Sequence, residues 1–226
     1  MINPIAELGA LCKERGVLLH VDAAQAAGKV DIDVAQLNVD LMSLSAHKFY
    51  GPKGVGALYV RRAIQSKVTA QLHGGGHERG LRSGTLATHQ LVGMGEAARL
   101  VVELGASERV RVAALRDQLW QGIADLPQLR RNGCSDRLSP AHLNVCFSGV
   151  DGETLLLSLR ELAVSTGSAC TSASVEPSYV LKAMGVSDAD AHSSIRFSLG
   201  RFTGEEDVIK AIAHIRAVYS RLQQAG

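Results

Sequence analysis

The sequence predicts an α/β chain in two parts, a first domain with a mostly parallel sheet followed by a C-terminal α+β domain. Three observations carry this expectation. Short apolar, β-branched runs alternate with segments of helical period in the first hundred residues, the pattern of strands joined through helices. A long helical stretch then separates the halves, and after Pro127 strand and helix signals recur in a different order. The expected division is 1–105 for the first part and 106–226 for the second.

Asn3-Pro4 starts a helix, with proline at its first position where no intrahelical N–H is needed, and Gly16 ends it, so residues 4–15 read as helical. Val17 to Val21 is the next strand and ends at Asp22. Val39 to Leu44 repeats the pattern and ends at Ser45-Ala46-His47-Lys48, and Gly54 to Val60 follows the Gly51-Pro52-Lys53-Gly54 turn. Leu72 to Thr85 holds five glycines interleaved with His77, Glu78, Arg79 and Arg82, which marks a specialised loop. Residues from Thr88 to Asp125 have helical period, read as two helices broken near Gly105 to Ser107. Beyond Pro127 the pattern gives a strand at Leu143 to Phe147, a helix from Glu153 to Arg160, a strand at Ile195 to Ser198 and an amphipathic helix from Glu205 to Gln223.

Composition narrows the function. With 226 residues, 46% hydrophobic and 20% charged, the chain can bury a core, and a net charge of +2 from scattered residues offers no electrostatic basis for nucleic acid or membrane binding. Its apolar runs fall far short of the ~20 residues of a membrane helix. The first sixteen residues carry charges where a secretory signal would be apolar, so a cytoplasmic protein is expected. Cys12, Cys134, Cys146 and Cys170 form no C-x-x-C pair, which argues against structural disulfides and a cysteine zinc site. His73 and His77 are four apart, but three intervening glycines oppose the helix that would present both to a metal.

Asp22 and Lys48 each follow a predicted strand, and the carboxyl ends of strands in open α/β sheets line ligand crevices. A lysine that holds an aldehyde and an acid beside a ring nitrogen are the two parts a pyridoxal phosphate site needs. Ser45-Ala46-His47-Lys48-Phe49-Tyr50-Gly51-Pro52-Lys53-Gly54, with Val39 to Leu44 before it and His20-Val21-Asp22-Ala23-Ala24-Gln25 upstream, resembles the lysine motif of cysteine desulfurases of the NifS/IscS class, within the class-V aminotransferase family. The resemblance continues through His73 to Thr85, through Ser165-Thr166-Gly167-Ser168-Ala169-Cys170-Thr171-Ser172, and through His192 to Gly200. The long loop around Cys170 is similar to the IscS-type branch.

The resemblance implies the type I fold of pyridoxal phosphate-dependent transferases, here a partial large domain with its mostly parallel sheet plus the smaller C-terminal α+β domain, and the cofactor pyridoxal 5'-phosphate. It makes Lys48 the Schiff-base residue and proton shuttle, Asp22 the partner of the pyridinium nitrogen, and Gln25 the donor to the phenolic oxygen. Ser45 and His47 would bind the phosphate, joined by Thr85 from the partner subunit of a homodimer. Arg196 would hold the substrate carboxylate, a task suited to its planar fork of donors. Cys170 would take sulfur from L-cysteine as a persulfide and release L-alanine, serving iron–sulfur cluster assembly and tRNA thiolation through a scaffold and acceptor proteins. No resident metal is implied, although Cys170 would transiently bind an iron–sulfur cluster together with a scaffold. Cys146, between Val145 and Phe147, reads as a packed structural thiol, and Cys12 and Cys134 as structural. Against this family the chain begins inside the large domain and stops before the C-terminal tail, so a truncated chain of weakened cofactor binding is expected. The alternatives are a selenocysteine lyase-like enzyme and a non-catalytic remnant that acts as an interaction module.

Overall fold

The computed structural model describes residues 1–166 and 177–225. The chain divides into two compact units, Asn3–Ser107 and a second made of Met1–Ile2 with Glu108–Gly226.

In the first unit, helix α1 (Ile5–Glu14) leads to strand β1 (His20–Asp22), then β2 (Leu41–Ser45) and β3 (Gly56–Val60), in the spatial order β1-β2-β3. β1 and β2 are parallel, with His20 opposite Leu41 and Asp22 opposite Ser43. β2 and β3 are antiparallel, Leu41 facing Val60 and Ser45 facing Gly56. The sheet expected to be mostly parallel therefore has one parallel and one antiparallel pairing among the described residues. β1 is also shorter than the run Val17 to Val21. Val17 and Leu18 are exposed, and the Leu19 N–H is taken at 2.9 Å by the Asp40 carboxylate instead of a strand neighbour. Gly9 lets α1 approach the chain at Leu37, because a Cβ at residue 9 would lie 1.9 Å from the Leu37 carbonyl oxygen. Ala23, Val39 and Met42 form one buried cluster, and Ala27, Ala46, Phe49 and Ala97 another.

Helix α2 runs unbroken over Thr88–Gln121. The break expected near Gly105 does not occur. An interior glycine costs a helix only about 1 kcal/mol, and the preceding turns are tied by Arg99, which pairs with Glu96 and Glu103 at helical spacing.

In the second unit, β4 (Leu129–Arg131), β5 (His142–Phe147) and β6 (Ser194–Ser198) make an antiparallel sheet in that order. Helices α3 (Gly152–Ser158), α4 (Tyr179–Ala183), α5 (Asp188–His192) and α6 (Glu205–Ala225) complete it. Leu115 and Leu119 of α2, Val145 and Phe147 of β5, Ile195 and Phe197 of β6, and Ile215 and Tyr219 of α6 share one core. Phe147 packs its ring 5.6 Å from that of Tyr219, whose buried hydroxyl donates to the Pro127 carbonyl at 2.6 Å. Asp151 caps α3 by accepting the Thr154 N–H at 2.8 Å.

Candidate active site

Parallel pairing sends the carboxyl ends of β1 and β2 to the same edge of the sheet, so Asp22 and the Ser45–Lys48 segment leave the sheet on one side. After Asp22 the chain turns at once. The Ala23 N–H donates to the Ser43 carbonyl at 2.9 Å, and one Asp22 carboxylate oxygen accepts the Ala24 N–H at 2.9 Å. Among the described residues no other hydrogen bond takes this exposed carboxylate. His20 sits on β1 with Nε2 2.8 Å from the Ser43 hydroxyl, a cross-strand contact.

After Ser45 the chain enters a single 3-10 turn, Ala46–Phe49, which ends on Tyr50 at φ 71° and anchors itself through the buried Ala46 and Phe49. Lys48 is thereby held half-buried between anchored neighbours. Its ammonium makes no hydrogen bond among the described residues. Ser45 Oγ and His47 Nδ1 lie 3.1 Å apart, a pair of polar groups one turn from Lys48.

Gln25 and Lys48 share a partner. Lys29 donates to the Gln25 side-chain oxygen at 3.3 Å and to the Lys48 backbone carbonyl at 3.2 Å. Burial, and after it the nearby Lys48 charge, hold the Lys29 ammonium below the ordinary lysine range. The turn that carries Lys29 is closed by Gly28 at φ +76°, where a Cβ would meet Phe49 Cβ at 3.2 Å and Val101 Cγ2 at 3.3 Å.

Thr85 lies in the same unit at the end of the glycine-rich loop, whose described hydrogen bonds are internal: Gly76 N–H to Ser83 Oγ at 3.2 Å, Gly84 N–H to His77 Nδ1 at 3.3 Å, and Ser83 N–H to the Leu72 carbonyl at 3.0 Å. No hydrogen bond among the described residues links Thr85 to Ser45, His47 or Lys48. Glu78 and Arg79 adopt positive φ beside Gly76 and Gly80, a backbone that only a glycine-rich segment accommodates readily. Among the described residues no group of three or more histidine, cysteine, aspartate or glutamate side chains could hold a metal ion.

Arg196 belongs to the second unit, in β6, where it exchanges backbone hydrogen bonds with Ser165 at 2.6 and 3.2 Å. Its Nε is buried without a hydrogen-bond partner among the described residues, so a donor is left unspent. Cys170 lies outside the described residues. Cys146 is fully buried in β5, with Sγ 3.3 Å from Ser148 Oγ and 3.5 Å from the Asp190 carbonyl, and burial pushes its thiol above the ordinary range.

This donor set fits pyridoxal 5'-phosphate. Asp22 offers an open carboxylate oxygen, Lys48 an amine with no competing partner, Gln25 an amide, and Ser45 with His47 a hydroxyl and a ring nitrogen matched to a phosphate. Sequence reasoning missed Lys29, Asp40 and Arg61, which organise these segments. The signal for the last two was an aspartate inside the apolar run Val39 to Leu44 and an arginine directly after the run that ends at Val60.

Residues 1–210 match the family described as Aminotransferase class-V. A curated protein from Methylococcus capsulatus named "Cysteine desulfurase IscS" is 59% identical over 224 residues, 99% of this chain and 56% of that protein. The chain thus spans about half the length of the curated relatives it matches. Among solved structures, a "NIFS-LIKE PROTEIN" superposes with a TM-score of 0.86 at 34% identity, covering 97% of this chain and 57% of the other. A NifS-like protein from Rickettsia africae gives 0.85 at 26% identity, covering 96% of this chain and 57% of the other. The fold is part of the type I fold of pyridoxal phosphate-dependent transferases.

Proposed function

Because the chain belongs to the class-V aminotransferase family, we propose that it carries the machinery of a cysteine desulfurase, which takes sulfur from L-cysteine, releases L-alanine and leaves a persulfide on the enzyme. The observation that supports this most is the parallel register of β1 and β2, which sends Asp22 and Ser45–Lys48 to one sheet edge.

When bound, the pyridoxal ring supplies an electron sink for the substrate carbon. The chain's own residues do the rest. Asp22 Oδ would hold a proton at the ring nitrogen, and Gln25 would donate from its amide to the phenolic oxygen. Ser45 Oγ and His47 would donate to the phosphate, with Thr85 doing so from the partner subunit of a homodimer. Lys48 Nζ would hold the cofactor at its aldehyde carbon and move protons to and from the substrate carbon. The Arg196 guanidinium orients the substrate carboxylate. The Cys170 thiolate attacks the substrate sulfur: an S–S bond forms, the C–S bond breaks, and its electron pair returns to carbon, which takes a proton to give alanine. The persulfide then serves an iron–sulfur scaffold and the acceptors of tRNA thiolation. A cytoplasmic setting agrees with this reading, and no helix among the described residues is long and apolar enough to cross a membrane.

Two measurements test it. Borohydride reduction of the purified chain with pyridoxal phosphate, followed by peptide mapping, is expected to find a pyridoxyl adduct on Lys48. Incubation with L-cysteine is then expected to leave sulfane sulfur on Cys170. Alanine release without retained sulfur would point to lyase chemistry, and no adduct on Lys48 would overturn the reading.

A further inference from the structure

We propose that Lys29 is a positioning residue, whose ammonium fixes the orientation of the Gln25 amide and the backbone of Lys48. This deepens the proposed function and rests on it for the cofactor that Gln25 would meet.

Hydrogen-bond chemistry fixes which end of the Gln25 amide faces Lys29. A lysine ammonium has three donors and no acceptor, whereas an amide side chain ends in one acceptor and one two-donor group. Lys29 Nζ lies 3.3 Å from Gln25 Oε1, so only the amide oxygen can face it. The Gln25 NH2 group is left as the free end, the end that an anionic phenolic oxygen requires. An exposed glutamine without such a partner would present either end, and half its orientations would place a carbonyl against that oxygen. The same ammonium donates to the Lys48 carbonyl at 3.2 Å, linking the turn after β1 to the turn after β2.

Lys29 is suited to this task by its own placement. It is half-buried, four residues beyond Gln25, on a turn that Gly28 lets settle against Phe49, the residue after Lys48. Its ammonium is disfavoured by burial and by the Lys48 charge, and the two oxygen acceptors offset that cost. It touches the reacting groups only through Gln25 and Lys48.

The test is a double-mutant cycle on the whole chain with pyridoxal phosphate as the probe. Lys29→Met and Gln25→Ala are each expected to weaken cofactor binding about tenfold, the scale of one hydrogen bond to a charged group. Both should move the absorbance maximum of the bound cofactor in the same direction. The double variant should lose clearly less than about a hundredfold, because the part of the Lys29 effect that runs through the Gln25 amide is then gone and only the part through the Lys48 carbonyl remains. Losses that multiply to about a hundredfold, or an absorbance maximum unmoved by Lys29→Met, would overturn the inference. A second readout needs no cofactor: 15N relaxation of the Gln25 side-chain amide should show order in the unaltered chain, lost in Lys29→Met and restored in Lys29→Arg. Equal order in all three overturns the inference. If the unaltered chain binds no pyridoxal phosphate while Lys29→Met still loses the Gln25 order, the positioning stands and the proposed function is overturned.

Discussion

Arg61 Nε lies 3.3 Å from the Asp40 carboxylate, one residue beyond the last register pair of β2 and β3. The other Asp40 oxygen accepts the Leu19 N–H just before β1, and Arg61 also donates to the Val39 carbonyl at 3.1 Å. One largely buried carboxylate therefore pins the ends of all three strands that position the candidate site. Asp40→Ala is expected to destabilise the chain by about 2–3 kcal/mol, because it strands the Leu19 N–H and removes a charge-assisted bond. Arg61→Ala should cost less, since the arginine is the more exposed partner. Urea unfolding of the two variants checks the order.

A second clamp holds the segment after β6. Arg201 makes a bidentate pair with Glu108 at 3.0 Å, with both side chains mostly buried, and Arg111 donates to the carbonyls of Arg201 and Thr203, each at 2.6 Å. Removing one charge leaves the other buried without its partner, so Arg201→Met is expected to cost about 3 kcal/mol. The double change of Glu108→Leu with Arg201→Met should recover much of that loss. Paired thermal melts of the single and double variants test this.

Asp190 should contribute to acid sensitivity. The Ser148 hydroxyl donates to it at 2.7 Å and holds its carboxyl below the usual carboxylate range, with Cys146, Ser187 and Arg130 adding to the effect. A lowered folded pKa gives stability that is fully present above the unfolded value near 3.9 and is lost as pH falls through the folded value. Unfolding midpoints followed from neutral pH to about pH 3 should therefore fall more steeply for the unaltered chain than for Asp190→Asn, which starts lower and titrates less.

The cysteines should separate by reactivity. Cys134 is exposed, whereas Cys146 is fully buried with its thiol pushed up by burial. Brief treatment of the folded chain with iodoacetamide at neutral pH should alkylate Cys134 and leave Cys146 intact until denaturant is added. Mass mapping of the two peptides decides it, and early modification of Cys146 would contradict the packing of β5.

Much of the architecture was legible because it rests on local patterns. The 3.6-residue period of α6 and the apolar runs of β2 and β5 give those elements nearly to their ends. What escaped was short or long-range. β4, Leu129–Arg131, carries two arginines in three residues, and α4 and α5 have five residues each, too few for a period to show. The break expected in α2 failed because a glycine weakens a helix without ending it when neighbouring turns are well tied. Asp22 and Lys48 stood out because strand ends announce themselves. Lys29 did not, since its importance comes from two acceptors that only the folded turns bring within reach of one ammonium.

Gly28 limits which descendants of this sequence can work. Its positive φ already disfavours any L side chain, and the space a Cβ would need is bordered by Phe49 and Val101. A replacement there would press on the residue adjoining Lys48 and displace Lys29 together. In a saturation library selected for cofactor retention, position 28 should be the narrowest gate on this segment. Neutral drift at Ala24 would stay open, while lineages that add a methyl at position 28 would be pruned before any reactive group had changed.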